Sequence, residues 1–131
     1  MIGLDRNILV RYLTLDDAVQ SALAAEIVER RITHDEPGFV SLVTVAEVVW
    51  VLGSFYEYIP DEIAAAVERL LQIDTLSVQN EREVFAAVVA LRTGMASFDD
   101  ALIGALGEWA GCSVTLTLDR KAARLKGFAL A

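Results

Sequence analysis

Leu4-Asp5-Arg6-Asn7-Ile8-Leu9-Val10 joins an apolar start to a carboxylate and then to an apolar pattern at helical spacing. Residues 2–5 read as a short buried strand and residues 7–13 as a short helix. A strand that runs into Asp, with Asn two residues later, sets an acidic side chain at the carboxyl end of a sheet strand. In open parallel sheets that edge is where ligands and chemistry sit. Other strand ends that carry a carboxylate are therefore the first places to look for a site.

Outward from this stretch, strand and helix patterns alternate. A helix is expected over 17–32, with Val19, Leu23, Ile27 and Val28 as its core face. Phe39-Val40-Ser41 reads as the second strand, and 42–53 as a helix apolar almost all round, which predicts burial on most sides. Pro60 suits the first turn of a helix to about Ile73. A short strand at 76–78 and a helix to about Thr93 follow, and Gly94 ends that helix. Ser97 caps a helix to Ala110, and the β-branched run 112–118 is the strongest strand pattern in the chain. A short basic helix and a last edge strand at 128–130 complete the series. Such alternation indicates an α/β fold, with a mainly parallel central sheet and helices on both faces.

A length of 131 residues, 55% hydrophobic, suits one compact domain over 1–131 with a substantial core. Cys112 is the only cysteine and His34 the only histidine. No internal disulfide is possible, and a His-rich zinc site or a Cys–His or Ser–His pair is poorly supported. Cys112 is expected to be a small buried residue, and His34 to lie in the polar loop before Pro37. Hydrolytic chemistry would therefore fall to carboxylates. A net charge of −8 argues against simple electrostatic binding of nucleic acid. Yet Arg120, Lys121, Arg124 and Lys126 gather within seven positions, either as a solvated helix face or as a set of phosphate contacts. No signal-peptide pattern opens the sequence. The long apolar run 39–55 carries Glu47 at its centre, where a charge costs about 2.5–3.5 kcal/mol in a membrane. A cytoplasmic protein without membrane contact is expected.

The carboxylates then divide by context. Asp5 and Asp119 each follow a strand, and each equally suits a helix N-cap. Glu47 is the only charged residue between Gly38 and Tyr56, so a buried carboxylate in need of a cation or several donors is expected. Asp99 and Asp100 open the helix after Ser97. Asp99 shares a face with Leu102, Ile103, Leu106 and Trp109, and Asp100 with Gly104 and Gly107; periodicity leaves the choice between them open. Three or four converging carboxylates without His or Cys would form a hard-oxygen cage suited to Mg²⁺ or Mn²⁺, and hence to hydrolysis of a phosphodiester. Trp50 and Trp109 are expected in the core. Tyr56 and Tyr58, near a turn, are better candidates for a contact surface.

Four motifs occur in order: 5–13 (DRNILVRYL), 46–52 (AEVVWVL), 98–105 (FDDALIGA) and 115–123 (TLTLDRKAA). Together they resemble the PIN-domain ribonucleases, in particular the VapC-type toxins of bacterial toxin–antitoxin pairs, over essentially the whole chain. The resemblance implies a metal-dependent endoribonuclease with an acidic quartet at Asp5, Glu47, Asp100 and Asp119. The family pattern Phe-x-Asp-x-Leu-Ile selects Asp100 over Asp99. Asp5 and Asp100 would be the principal Mg²⁺ (or Mn²⁺) ligands, and Glu47 and Asp119 would complete the cage. Asn7 and Thr117 would orient Asp5 and Asp119, and Arg120, Lys121 and Arg124 would meet phosphates. The resemblance also implies an RNA substrate, a cognate antitoxin protein, a homodimer, and operator DNA reached only through the antitoxin. The sequence departs from the family at Arg6, where Thr or Ser is commoner, and at Leu118, where Phe is. A catalytically weak protein-binding module of the same fold is the alternative.

Overall fold

The computed structural model describes all 131 residues, and the chain divides into two compact units, Met1–Glu81 and Arg82–Ala131. The first unit holds strands β1 (Ile2–Gly3), β2 (Gly38–Val40) and β3 (Leu76–Val78), joined side by side in that order, all parallel. Gly38 pairs with both Ile2 and Leu76. No residue of β2 or β3 is exposed on either face, as a parallel sheet covered on both sides requires. A Cβ at Gly38 would lie 2.9 Å from a Leu76 methyl and nearer still to Ile32, so the centre of the sheet packs tightly around a missing side chain.

Helices α1 (Arg6–Thr14), α2 (Ala18–Glu26), α3 (Leu42–Ser54) and α4 (Pro60–Leu71) belong to the same unit. Their starts follow the expected chemistry. Asp17 accepts from Gln20 N at 2.9 Å; Ser41, expected as the end of the second strand, instead caps α3 and accepts from Thr44 N at 3.1 Å. Pro60 lies in the first turn of α4, and the Glu62 carboxylate accepts from Ile59 N at 3.0 Å. Leu9, Val45, Val48, Leu52, Val67 and Leu70 are almost fully buried.

Two expected helix faces are corrected. Helix α2 buries Ser21 and Ala24, while Val19 and Leu23 are 73% and 60% exposed. Small residues let α1 and α2 approach closely, and the Ser21 hydroxyl donates to Arg11 O at 2.9 Å. That bond also satisfies the buried hydroxyl. The helix closes with a wider π-type turn, Ile27–Arg31, in which Ile32 N donates to Ile27 O. Helix α3 is not buried all round: Thr44, Val45, Val48 and Leu52 form one buried stripe, while Val43 and Trp50 are exposed. Trp50 meets Phe55, itself exposed, edge-on at 5.6 Å between ring centroids.

The second unit holds α5 (Glu81–Arg92, whose first residue closes the first unit), α6 (Phe98–Trp109), and strands β4 (Thr115–Thr117) and β5 (Phe128–Leu130), paired in parallel as a separate sheet. Val84, Val88 and Leu91, which recur at helical spacing, are buried on α5 together with Ala87. The strand expected over 112–118 shrinks to three residues, because β5 offers three partners and a ladder ends where its partner does. The basic segment forms a single 3₁₀ turn, Ala122–Arg124. Trp109 and Cys112, both expected inside, are exposed at the α6–β4 turn. No helix is long and apolar enough to cross a membrane.

Candidate metal centre

In the first unit, β1 and β2 are neighbours, so the segments leaving their carboxyl ends start side by side. Asp5 lies two residues past β1 and caps α1: Arg6 N donates to Asp5 Oδ1 at 2.7 Å. Glu47 lies in the second turn of α3, which begins two residues past β2. The two carboxylates are tied through one residue. The Arg6 guanidinium donates from Nη1 to Glu47 Oε2 at 3.0 Å, while its backbone N–H holds Asp5.

Glu47 was expected to be buried; it is not, and a cation reaches it from within the chain all the same. Glu47 is half-buried, with 41% of its side chain exposed, and Arg6 matches it at 41%. A pair this open contributes at most about 1 kcal/mol to stability. Sequence reasoning missed the contact. The signal was there: a lone carboxylate on an apolar helix after β2, and a basic residue at the unusual position after β1. Asn7 is exposed and makes no hydrogen bond with Asp5, so it does not orient that carboxylate here.

In the second unit, Ser97 Oγ accepts from Asp100 N at 3.3 Å and starts α6. Asp99 is exposed and Asp100 half-buried. The Asp100 face continues through Gly104 and Gly107, which lie against the small sheet. A Cβ at Gly107 would come within 2.7 Å of Thr115 Oγ1, and one at Gly104 would meet the Phe128 ring. Asp100 thus shares the sheet-facing side of α6, and Asp119 lies two residues past the end of β4. Asp119 Oδ1 accepts from Lys121 N at 2.8 Å, and Thr117 Oγ1 accepts from Asp119 N at 3.0 Å. Thr117 therefore holds the backbone of Asp119 rather than its carboxylate. Arg120, Lys121, Arg124 and Lys126 are all exposed, and none forms a salt bridge.

The donor chemistry, carboxylate oxygen without His or Cys, fits a hard divalent cation. Within each unit the candidate ligands number two, and nowhere in the chain do three or more His, Cys, Asp or Glu side chains gather closely enough to hold an ion.

A second polar cluster, unforeseen from the sequence, lies in the first unit. Asp16 accepts from Tyr56 Oη at 2.7 Å, from Arg11 Nη1 at 2.7 Å and from Thr14 Oγ1 at 3.0 Å, and Arg11 Nε also donates to Gln20 at 2.8 Å. The Tyr56 hydroxyl and then the Arg11 guanidinium hold the Asp16 carboxyl down to about 2. The same bond to Asp16 raises the Tyr56 phenol above its ordinary value. The cluster walls a groove of about 810 Å³, lined also by Arg6, Leu23, Val51 and Phe55.

The chain matches the PIN domain family over residues 2–127, and it belongs to that family. No curated protein is similar enough to the chain to count as a relative. The fold is the α/β PIN fold, a nuclease-type fold, and the match runs through both units.

Proposed function

We propose that this protein is a metal-dependent endoribonuclease that hydrolyses RNA phosphodiester bonds and acts as the toxin of a toxin–antitoxin pair. PIN-domain nucleases generally use divalent metal ions, and membership of that family supports the reading. The observation that carries it is the placement of Asp5 and Glu47 just past the carboxyl ends of adjacent parallel strands. Asp100, on the sheet-facing side of α6, and Asp119, past β4, supply the other two carboxylates.

Asp5, Glu47, Asp100 and Asp119 would hold Mg²⁺ or Mn²⁺, which when bound offsets charge on phosphate oxygens and acidifies water. The protein's own contribution is to fix these acids by local hydrogen bonds. Ser97 anchors the first turn of α6, and Thr117 and Lys121 fix the turn that carries Asp119. Unpaired Arg120, Lys121 and Arg124 would meet the phosphate backbone of RNA, which an overall charge of −8 otherwise repels. Partners follow the same reading: a cognate antitoxin, a second copy of the chain, and operator DNA reached through the antitoxin, in the cytoplasm. Exposed Leu23 and Phe55 beside the α1–α2–α3 groove support a protein partner.

The test is incubation of purified protein with total RNA and Mg²⁺ or Mn²⁺, beside EDTA and Asp100→Ala controls. Cleavage that needs both the metal and Asp100 is the expected result. Cutting that survives the double change Asp5→Ala/Asp100→Ala refutes the reading. One observation favours a second reading, a weakly catalytic binding module: Arg6 already occupies Glu47. That reading predicts tight partner binding unaffected by Asp5→Ala, and no metal-dependent cutting.

A further inference from the structure

Arg6 is the one residue bonded to two of the four site carboxylates, by its backbone to Asp5 and by its guanidinium to Glu47. A guanidinium stays charged at every pH the protein meets. Glu47 therefore carries a fixed, tethered counter-ion on the oxygen Oε2. Both side chains are half-exposed, so the pair can open without leaving a buried charge unpaired. The two partners sit on different helices, α1 and α3, and the guanidinium reaches Glu47 from the first residue of α1, where the backbone is already fixed by the Asp5 cap. Its reach is thus set by the fold and not by a mobile loop.

We propose that Arg6 is a built-in competitor for the divalent cation. The guanidinium competes with a metal ion for Glu47 Oε2, so Arg6 raises the metal concentration at which the site fills. Arg6 is a positioning residue that acts through Glu47. The inference rests on the metal-nuclease reading, and it adds a threshold to it: the site is tuned to fill late, and an uncharged residue at position 6 removes the tuning.

Mn²⁺ binding to the antitoxin-free protein, by titration calorimetry and by loss of the free-ion paramagnetic resonance signal, tests this without any activity measurement. Arg6→Ser and Arg6→Gln each remove the charge, and Arg6→Lys keeps it. Circular dichroism checks that each variant folds, and two uncharged variants guard against one failing. Both uncharged variants are expected to bind Mn²⁺ about two- to fivefold more tightly, the range a half-exposed ion pair contributes, while Arg6→Lys stays close to wild type. The gain disappears when Glu47→Gln is added to Arg6→Ser. Unchanged or weaker binding in both uncharged variants, with wild-type binding still lost in Asp5→Asn, overturns the role of Arg6 and leaves the nuclease reading standing. Absence of Mn²⁺ binding in every form, or binding indifferent to Asp5→Asn, overturns both.

Discussion

Adding one methyl group to each of two helical glycines should move stability in opposite directions. Gly104 is interior to α6 and Gly53 lies in the last turn of α3. In a free helix Gly→Ala gains about 0.8–1 kcal/mol, and roughly half of that in a terminal turn. A Cβ at Gly53 would meet only Ile63 Cδ1 at 3.5 Å, an ordinary contact, so Gly53→Ala should stabilise by about 0.5 kcal/mol. A Cβ at Gly104 would lie 3.2 Å from Phe128 Cζ, 3.3 Å from Cδ1 and closer still to Cε1. The ring must shift by about 1 Å or α6 must lift from β5, and such overpacking costs about 1–3 kcal/mol. Set against the helix gain, Gly104→Ala should destabilise by about 0–2 kcal/mol. At roughly 4 °C per kcal/mol for a chain of this size, thermal unfolding should separate the two variants by up to about 10 °C. A double-mutant cycle with Phe128→Leu, which shortens the ring side chain, should recover about 0.5–2 kcal/mol of coupling. If Gly104→Ala raises the melting temperature as Gly53→Ala does, the tight seat of α6 on β5 is refuted, and with it the reason Asp100 faces the sheet.

The pH dependence should show the Asp16 cluster. Its folded carboxyl titrates near 2 against an ordinary value of 3.8; a depressed acid contributes stability that is present above the unfolded value and is lost as pH falls from about 4 to 2. Asp16→Asn should therefore lower stability at neutral pH and flatten that acid limb in a pH series of denaturant melts; an unchanged limb would refute the assignment. Cys112 should react fully with a thiol-specific chromogenic reagent in the native protein, with one equivalent released before any unfolding; protection until denaturant is added would contradict its exposure.

Much of the fold was legible because helix starts depend on local chemistry. Ser97, Asp17 and Pro60 each sit where a cap or a first turn demands, and each helix begins there, whereas Ser41 was read as strand and caps α3. Asp5 caps α1 as its place after a strand allows, although β1 ends at Gly3 and β4 at Thr117, each two residues short of its Asp. Faces were harder. In α2 the largest apolar residues were taken for the core side, but close helix approach selected Ser21 and Ala24, and periodicity weighted by hydrophobicity does not see that. Trp50 and Trp109 misled in the same way, since size and apolarity assigned them to the core and both lie largely in solvent. The length of β4 depended on a partner thirteen residues away, which no local pattern reports. In the candidate site, residue types were legible but partners were not. Arg6 stood out only as a departure from a family pattern, and its contact with Glu47 spans forty-one positions.

The order of the two sheets along the chain also orders them in time. Every pairing among β1, β2 and β3 is available once Val78 has been made, whereas β4 has no partner until Phe128–Leu130, some fifty residues on. At about 5–20 residues per second of synthesis, the first sheet has a head start of roughly 3–10 s. A nascent chain therefore carries Asp5 and Glu47, the latter already paired with Arg6, while the segment bearing Asp119 still has no sheet to join.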